Sequence, residues 1–525
     1  MNLLGNVNRT IAKAAEKSGE PMKNFIQVII FTLFIAGVIF LTKNYWGDWI
    51  LGTLSIIFTL SIVFIGFVIF MENRKPNQTL TWLIVLGAFP IVGFLFYLLF
   101  GRNVRKRRLF EKKALIDQQV YLQIEGDHHR YEEKAEQMGD HQKLMFKLAH
   151  NLSHSPVSFA SQTKILTNGD EKFPAMLEAI KGAKTYIHLE YYIVRHDEIG
   201  VQLQEALIEK AREGVEIRFL YDAVGSWKLS KAYISKMHRA GIEMVPFLPV
   251  TLPFLSNKIN FRNHRKIVII DGKTAFMGGL NVGDEYLGKV DFFGFWRDTH
   301  MMIEGEAVRM LHMIFLQDWY YMTGKELDTA KFLAADPDDF PEGNGGVQMI
   351  AGGPDNKWEN IKSLFFSMIV SAKDSIWIAS PYFIPDEDIL SALKVAALSG
   401  VDVRLLVPKR PDKKLVFYAS RSYFAELMEA GAKIYEYEKG FMHSKIVIVD
   451  YELASIGTAN MDMRSFHLNF EVNAFLYRTD STVTLVEEYE KDLLESKKLE
   501  MDDFVKRSFF QRMFESFARL LSPML

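Results

Sequence analysis

One repeated motif constrains this chain more than any other feature. His264-Arg265-Lys266 runs through an apolar IVII stretch to Asp271 and on to Gly278-Gly279-Leu280-Asn281. His443-Ser444-Lys445 runs through IVIV to Asp450 and on to Gly457-Thr458-Ala459-Asn460. Every spacing between His, Lys, Asp, Gly and Asn is the same in the two copies. With 13 histidines, one H-x-K-x4-D match arises by chance in roughly one chain in twenty-five. Two matches that also share their Gly and Asn spacing do not. The repeat extends upstream. ALIEKAREGV (206–215) continues as EIRFLYD, and ALKVAALSGV (392–401) continues as DVRLLVP. Each reads as an amphipathic helix, a glycine stop and an apolar strand. Ala240-Gly241-Ile242 and Ala430-Gly431-Ala432 then close one helix and open another strand.

A duplication with helix and strand alternating in both halves predicts an α/β fold of two similar lobes. A pseudo-two-fold axis between them brings both motifs to one shared cleft. The first lobe is expected over 146–335 and the second over 347–525. The Pro-, Gly- and Asp-rich stretch DPDDFPEGNGG (336–346) reads as the linker.

The N-terminal part differs in kind. A polar leader (1–24) precedes apolar runs at 25–42, 50–71 and 80–100. A membrane-crossing helix needs about 20 apolar residues, so residues 25–100 are expected to hold two or three spans. Pro90 in the third run suits a kinked or re-entrant segment. Arg102, Arg105, Lys106, Arg107, Arg108, Lys112 and Lys113 open a basic connector (101–145). Such a flank places the catalytic part in the cytoplasm and suits anionic headgroups. Arg9, Lys13, Lys17 and Lys23 before the first run conflict with three spans; two spans and a re-entrant segment remove the conflict. A net charge of −2 argues against a nucleic-acid binder. With no cysteine, disulfides, zinc-thiolate sites and thiol nucleophiles are excluded.

Residues two apart on a strand share a face, so His264 and Lys266 point together, as do His443 and Lys445. Two imidazoles, two ammonium groups and two amides suit an anionic phosphodiester. The lysines neutralise the non-bridging oxygens, and Asn281 and Asn460 are expected to donate to the phosphate. One neutral histidine can attack phosphorus while the other, protonated, serves the leaving oxygen. The two imidazole pKa values must then be pushed apart. The lysines supply the charge a metal would give, so neither metal nor cofactor is expected.

The double motif, together with NRKPNQTLTWLIVLGAFPIVGFLFYLLFGR, FRNHRKIVIIDGKTAFMGGLNVGDEY, FWRDTHMMIEG, SPYFIPDEDIL and FMHSKIVIVDYELASIGTANMDMRSFHLNFE, resembles the phospholipase D superfamily. Within it, the chain is similar to the bacterial cardiolipin synthases over roughly residues 70–525. The resemblance implies that an acid downstream of each motif, Asp298 and Glu471, orients a catalytic imidazole. Asp271 and Asp450 complete the motifs, although in the family they are usually structural. It assigns the nucleophile to His264 and the acid to His443. It further implies a multi-pass enzyme of the bacterial cell membrane that transfers a phosphatidyl group between two phosphatidylglycerol molecules, giving cardiolipin and glycerol. A phospholipase D hydrolase or a phosphatidylserine synthase would use the same groups with another acceptor.

Three further features remain. The loop VPFLPVTLPFLSNKINF (245–261) has no counterpart in the second half and reads as a poor strand, either a surface that dips into lipid beside the cleft or a packed core loop. Tyr191, Tyr192, Tyr382 and Phe383 are expected at strand ends near the cleft. Residues 505–521 gather Phe509, Phe510, Met513, Phe514, Phe517 and Leu521 on one helical face, which suits either the membrane interface or, as the favoured expectation, packing on the core.

Overall fold

A computed structural model describes residues 138–524 apart from 251–256, 326 and 334–339, together with the helix Pro76–Ala88 and scattered positions between 53 and 113. The chain divides into a unit of residues 1–101 and a unit of residues 102–525. In the first, Trp82 packs edge-on against Tyr97, beside buried Ile69 and Leu86. Among the described residues no helix is long and apolar enough to cross a membrane. The first apolar run and most of the second fall outside those residues, the third is described mainly over its first part in the helix Pro76–Ala88, and the polar leader and most of the connector also fall outside.

The second unit is a mixed α/β fold of two lobes. The first sheet runs in the order Ser161–Thr167, Thr299–Gly305, Thr274–Gly278, Ile267–Ile270, Tyr186–Tyr191, Glu216–Asp222, Glu243–Phe247. The second follows the same order strand for strand: Gly346–Gly352, Glu471–Tyr477, Leu453–Gly457, Ile446–Val449, Ser375–Ala379, Asp402–Pro408, Lys433–Tyr437, with Ser496–Lys498 added at the edge. Three strands in each lobe are parallel and joined through helices, while the motif strand runs antiparallel to its neighbours. The motif strands are buried over their whole length, which is why they read as unbroken apolar runs rather than as alternation.

The helices Ala307–Thr323 and Asp480–Leu494 lie between the lobes, each touching both sheets. Their residues join one continuous core with Ile267, Met277, Trp377, Ile446 and Val472. The helix Asp140–Ser153, whose last residues were assigned to the first lobe, packs Met145, Phe146 and Ala149 against the second lobe's Asn360–Ser371 helix. The loop at 245–261 begins as a true edge strand, Glu243–Phe247, with Phe247, Leu248 and Phe261 in the core.

The aspartates that end the two motifs are not at the cleft. Asp271 and Gly272 take φ of 52° and 67° in the three-residue hairpin loop 271–273, closed by the Lys273 N–H donating to the Ile270 carbonyl at 3.0 Å. The Asp271 carboxylate accepts from the backbone N–H groups of Lys184, Thr185 and Tyr186. Asp450 does the same for Lys373, Asp374 and Ser375. Each lies about 16 Å of extended chain beyond its motif lysine, so the expectation that they act in catalysis is corrected. They fasten the motif hairpin to the start of the neighbouring parallel strand.

Burial works against the Asp271 charge, but the bonds from Thr185, Tyr186 and Lys184 hold its carboxyl below the usual aspartate range. A depressed carboxyl contributes stability that is present above an unfolded pKa of about 3.9 and is lost as pH falls through the lower folded value. Asp271→Ala is therefore expected to cost about 1–3 kcal/mol near neutral pH, with the difference from wild type closing below about pH 4. Thermal unfolding across pH checks this, and activity per folded molecule is expected to stay unchanged.

Candidate active site

Both motif histidines lie in extended segments just before their strands, and each segment pairs with the opposite lobe. Gly440–Met442 runs parallel to Phe295–Arg297, and the His443 N–H donates to the Arg297 carbonyl at 2.7 Å. Asn263 bridges to Phe470, and the His264 N–H donates to the Phe470 carbonyl at 2.8 Å. The residue after Arg297 is Asp298, and the residue after Phe470 is Glu471. Backbone pairing thus delivers one lobe's carboxylate to the other lobe's histidine. The His443 Nδ1 lies 2.6 Å from Asp298 Oδ2; the His264 Nδ1 lies 2.9 Å from Glu471 Oε2 and 3.1 Å from the Thr458 carbonyl. The carboxylates at Nδ1 assign the proton there and leave the lone pair on Nε2 in both neutral rings; for His443 the carboxylate is the shorter contact, with Lys445 Nζ also lying at 3.0 Å.

Lys266 and Lys445 are buried and each donates to the carbonyl of its own motif histidine. Burial pulls the Lys266 ammonium down to about 7 and that of Lys445 down to about 8, opposed by Glu471 and Asp298. Burial likewise pulls His264 down to about 4 against the pull of Glu471. It pulls His443 down to about 3, with Lys445 adding to the effect. Asp298 and Glu471 are pushed up by burial, but their histidine partners outweigh it and both carboxyls lie below their usual range. The two imidazoles are thus shifted the same way, not apart as the sequence suggested. The reason is that both share one buried pocket with two ammonium groups.

Paired Nε2 lone pairs beside two ammonium groups, each imidazole fixed by a carboxylate from the opposite lobe, form a site for a singly charged phosphodiester. Cardiolipin synthase, PLD-like domain, is the family that matches residues 176–319 and 365–495. The chain belongs to the cardiolipin synthase family. Residues 54–102 match a second family, described as phospholipase D-nuclease N-terminal. The cardiolipin synthase of Geobacillus sp. (strain WCH70) is 63% identical over 506 residues, covering 96% of this chain and 100% of its own. That of Alkalihalophilus pseudofirmus is 59% identical over 504 residues, with coverage of 96% and 100%. Among solved structures, the phosphatidylserine synthase of Haemophilus influenzae aligns over 73% of this chain and 100% of its own at a TM-score of 0.55. At 17% identity, that is a likeness of fold.

The two motif asparagines have protein partners beside the cleft. The Asn281 amide is engaged by protein at both ends: its oxygen accepts from the Ile193 N–H and its nitrogen donates to the Tyr286 hydroxyl. The Asn460 backbone N–H is held by Ser465 Oγ, and its side chain supports buried Asp462, whose carboxyl burial pushes up to about 6. Both amides thereby hold the loop beside the cleft, and no bond links either to a motif histidine or lysine. Gly279 meets a steric demand there, since a Cβ would come within 2.0 Å of Asp298 Oδ1.

Tyr192 stands edge-on to His264 at 5.0 Å, and Trp296 lies 5.0 Å from His443. Tyr382 reaches Asp412, while Tyr191 and Phe383 are core residues. Sequence reasoning missed Arg265, the variable middle of the first motif. Its guanidinium crosses to the second lobe, donating to the carbonyls of Glu471 at 3.1 Å and Gly352 at 3.2 Å, and pairs with Asp318. The second copy has Ser444 there, bonded to Thr299 at 3.0 Å, so the repeat itself carried no signal for it. Asp222 was also missed; it accepts from the Asn263 N–H and pairs with Arg262.

The crossed pairing makes a specific prediction. Asp298→Asn is expected to lower the midpoint of His443 and leave His264 in place, and Glu471→Gln the reverse, read by NMR titration of the imidazole C–H signals. Each change is expected to lower kcat about 10²–10⁴-fold. If Asp298→Asn moved His264 instead, the assignment of carboxylates across the lobes would be wrong.

Proposed function

We propose that this chain is a membrane-associated phosphatidyltransferase in which His264 and His443, with Lys266 and Lys445, transfer a phosphatidyl group from one phosphatidylglycerol to another, giving cardiolipin and glycerol. The observation that carries the reading is the crossed pair of carboxylate–imidazole contacts around two buried lysines, in a member of the cardiolipin synthase family. Its multi-pass attachment and cytoplasmic catalytic unit remain part of the proposal, supported by the apolar runs and the basic connector.

In this reading the donor phosphodiester brings negative charge between the lysines. That charge favours a proton on His443, whose Nδ1–H is already held by Asp298. The lone pair on His264 Nε2 attacks phosphorus as the bond from phosphorus to the glycerol headgroup oxygen breaks. His443 gives its Nε2 proton to that oxygen, and glycerol leaves. His443, now neutral, takes the proton of the second phosphatidylglycerol's primary hydroxyl. The oxygen so formed attacks phosphorus, the phosphorus–nitrogen bond breaks, and His264 is regenerated. Glu471 stabilises positive charge on His264 while the covalent bond exists. The lysines hold the phosphoryl oxygens throughout, so they must stay charged.

Three measurements test this. Purified protein in phosphatidylglycerol vesicles is expected to release cardiolipin and glycerol in equal amounts; phosphatidic acid with glycerol and no cardiolipin would mean a hydrolase. Labelled donor is expected to leave an acid-labile phosphohistidine that is absent in His264→Ala, and label at neither histidine would overturn the covalent route. Because Lys266 and Lys445 lie at about 7 and about 8, kcat/KM is expected to fall as pH rises through that window. In Lys266→Arg the alkaline limb is expected to move upward.

A further inference from the structure

The C-terminal helix is built inside out. Ser508 begins it with a reciprocal capping box to Gln511, and it runs Phe509–Leu520. Its inward face is polar or small. Glu515, 4% exposed, pairs with Arg507 at 3.0 Å and reaches Arg421 at 3.7 Å. Arg519 pairs with Glu426 at 2.6 Å, and Ala518 is buried. The large apolar side chains face out: Phe509, Phe510, Met513, Phe514, Phe517 and Leu520 are 48–76% exposed. The expectation that this face packs on the core is corrected, because the charged side already holds the helix down through ion pairs.

Where that face lies matters. The helix packs against the helix Lys414–Arg421, with Phe514 stacked on Tyr418 at 6.0 Å. Phe417 and Arg421 of that helix line a concavity with Tyr382, Asp412 and Phe441. The Phe441 ring is 5.9 Å from that of His443. The apolar face is therefore one helix away from the cleft. The segment leading into the intervening helix exposes Lys409, Arg410, Lys413 and Lys414, and the terminal helix exposes Arg512.

We propose that this helix is an interfacial anchor that lays the second lobe, beside the cleft, on a bilayer containing anionic phospholipid. A convex apolar helix face with basic residues at its edge is the arrangement that enters the headgroup boundary and gains from negative surface charge. A second copy of the chain is disfavoured, because a two-fold contact through this face would bring the same basic residues together. The link to catalysis rests on the lipid substrate proposed above, whereas the anchoring does not.

The chain has no cysteine, so Phe514→Cys carries a single nitroxide in the full-length protein. In vesicles of phosphatidylglycerol and phosphatidylcholine, the label is expected to be open to oxygen and shielded from a nickel chelate. A label at exposed Glu487 (Glu487→Cys) is expected to stay open to nickel. Equal nickel access at the two sites would overturn the anchor, as would dipolar broadening between labels, the sign of a second copy. This reading needs no turnover, so it fails or succeeds separately from the proposed reaction. The triple change Phe510→Ser, Phe514→Ser and Phe517→Ser is expected to lower kcat/KM on vesicles about 10-fold. The same protein is expected to keep wild-type activity on short-chain monomeric phosphatidylglycerol. Equal loss on both substrates would mean a packing role and overturn the proposal.

Discussion

Two short backbone exchanges, His264 with Phe470 and His443 with Arg297, are what the rest of the site depends on. Each anchors a motif histidine by its own N–H to the opposite lobe, one residue before that lobe's carboxylate. Imidazole and carboxylate are thus placed by main-chain hydrogen bonds, which tolerate little drift, and not by flexible side chains. Neither lobe carries a complete histidine–acid pair of its own. The shared core around the helices Ala307–Thr323 and Asp480–Leu494 keeps that crossing in register.

Charge is concentrated behind this crossing as well as in front of it. Arg265 and Asp318 are buried together, and Lys113 from the basic connector reaches the same place, 3.1 Å from Asp318 and 2.8 Å from Asp355. Lys113 therefore serves inside the fold and not at anionic headgroups, where the sequence had put it. Taking such ions out of water costs several kcal/mol each, and pairing must offset it. A lone Lys113→Ala change would leave two carboxylates short of a cation directly behind the first motif.

The duplication is close in topology and looser in chemistry. Both sheets repeat one strand order, and both motif aspartates make the same three backbone contacts. Yet Arg265 faces Ser444, His300 faces Asn473, and Glu471 faces Asp298 at matching positions. The two histidines accordingly have different surroundings: two acceptors at Nδ1 for His264, a carboxylate and a nearby ammonium for His443.

Residue spacing alone determined the two lobes, the α/β class and the histidine–lysine pairs, because periodicity and turn residues act over a few positions. It also marked Asp298 and Glu471, through the family resemblance, without saying which histidine each would hold. Tertiary structure alone decided that the acids serve the opposite lobe and that Arg265 and Lys113 are buried between lobes. It also turned the apolar face of the last helix outward. Each of these depends on which charged partner waits across the interface, and such a partner lies tens to hundreds of residues away in the chain.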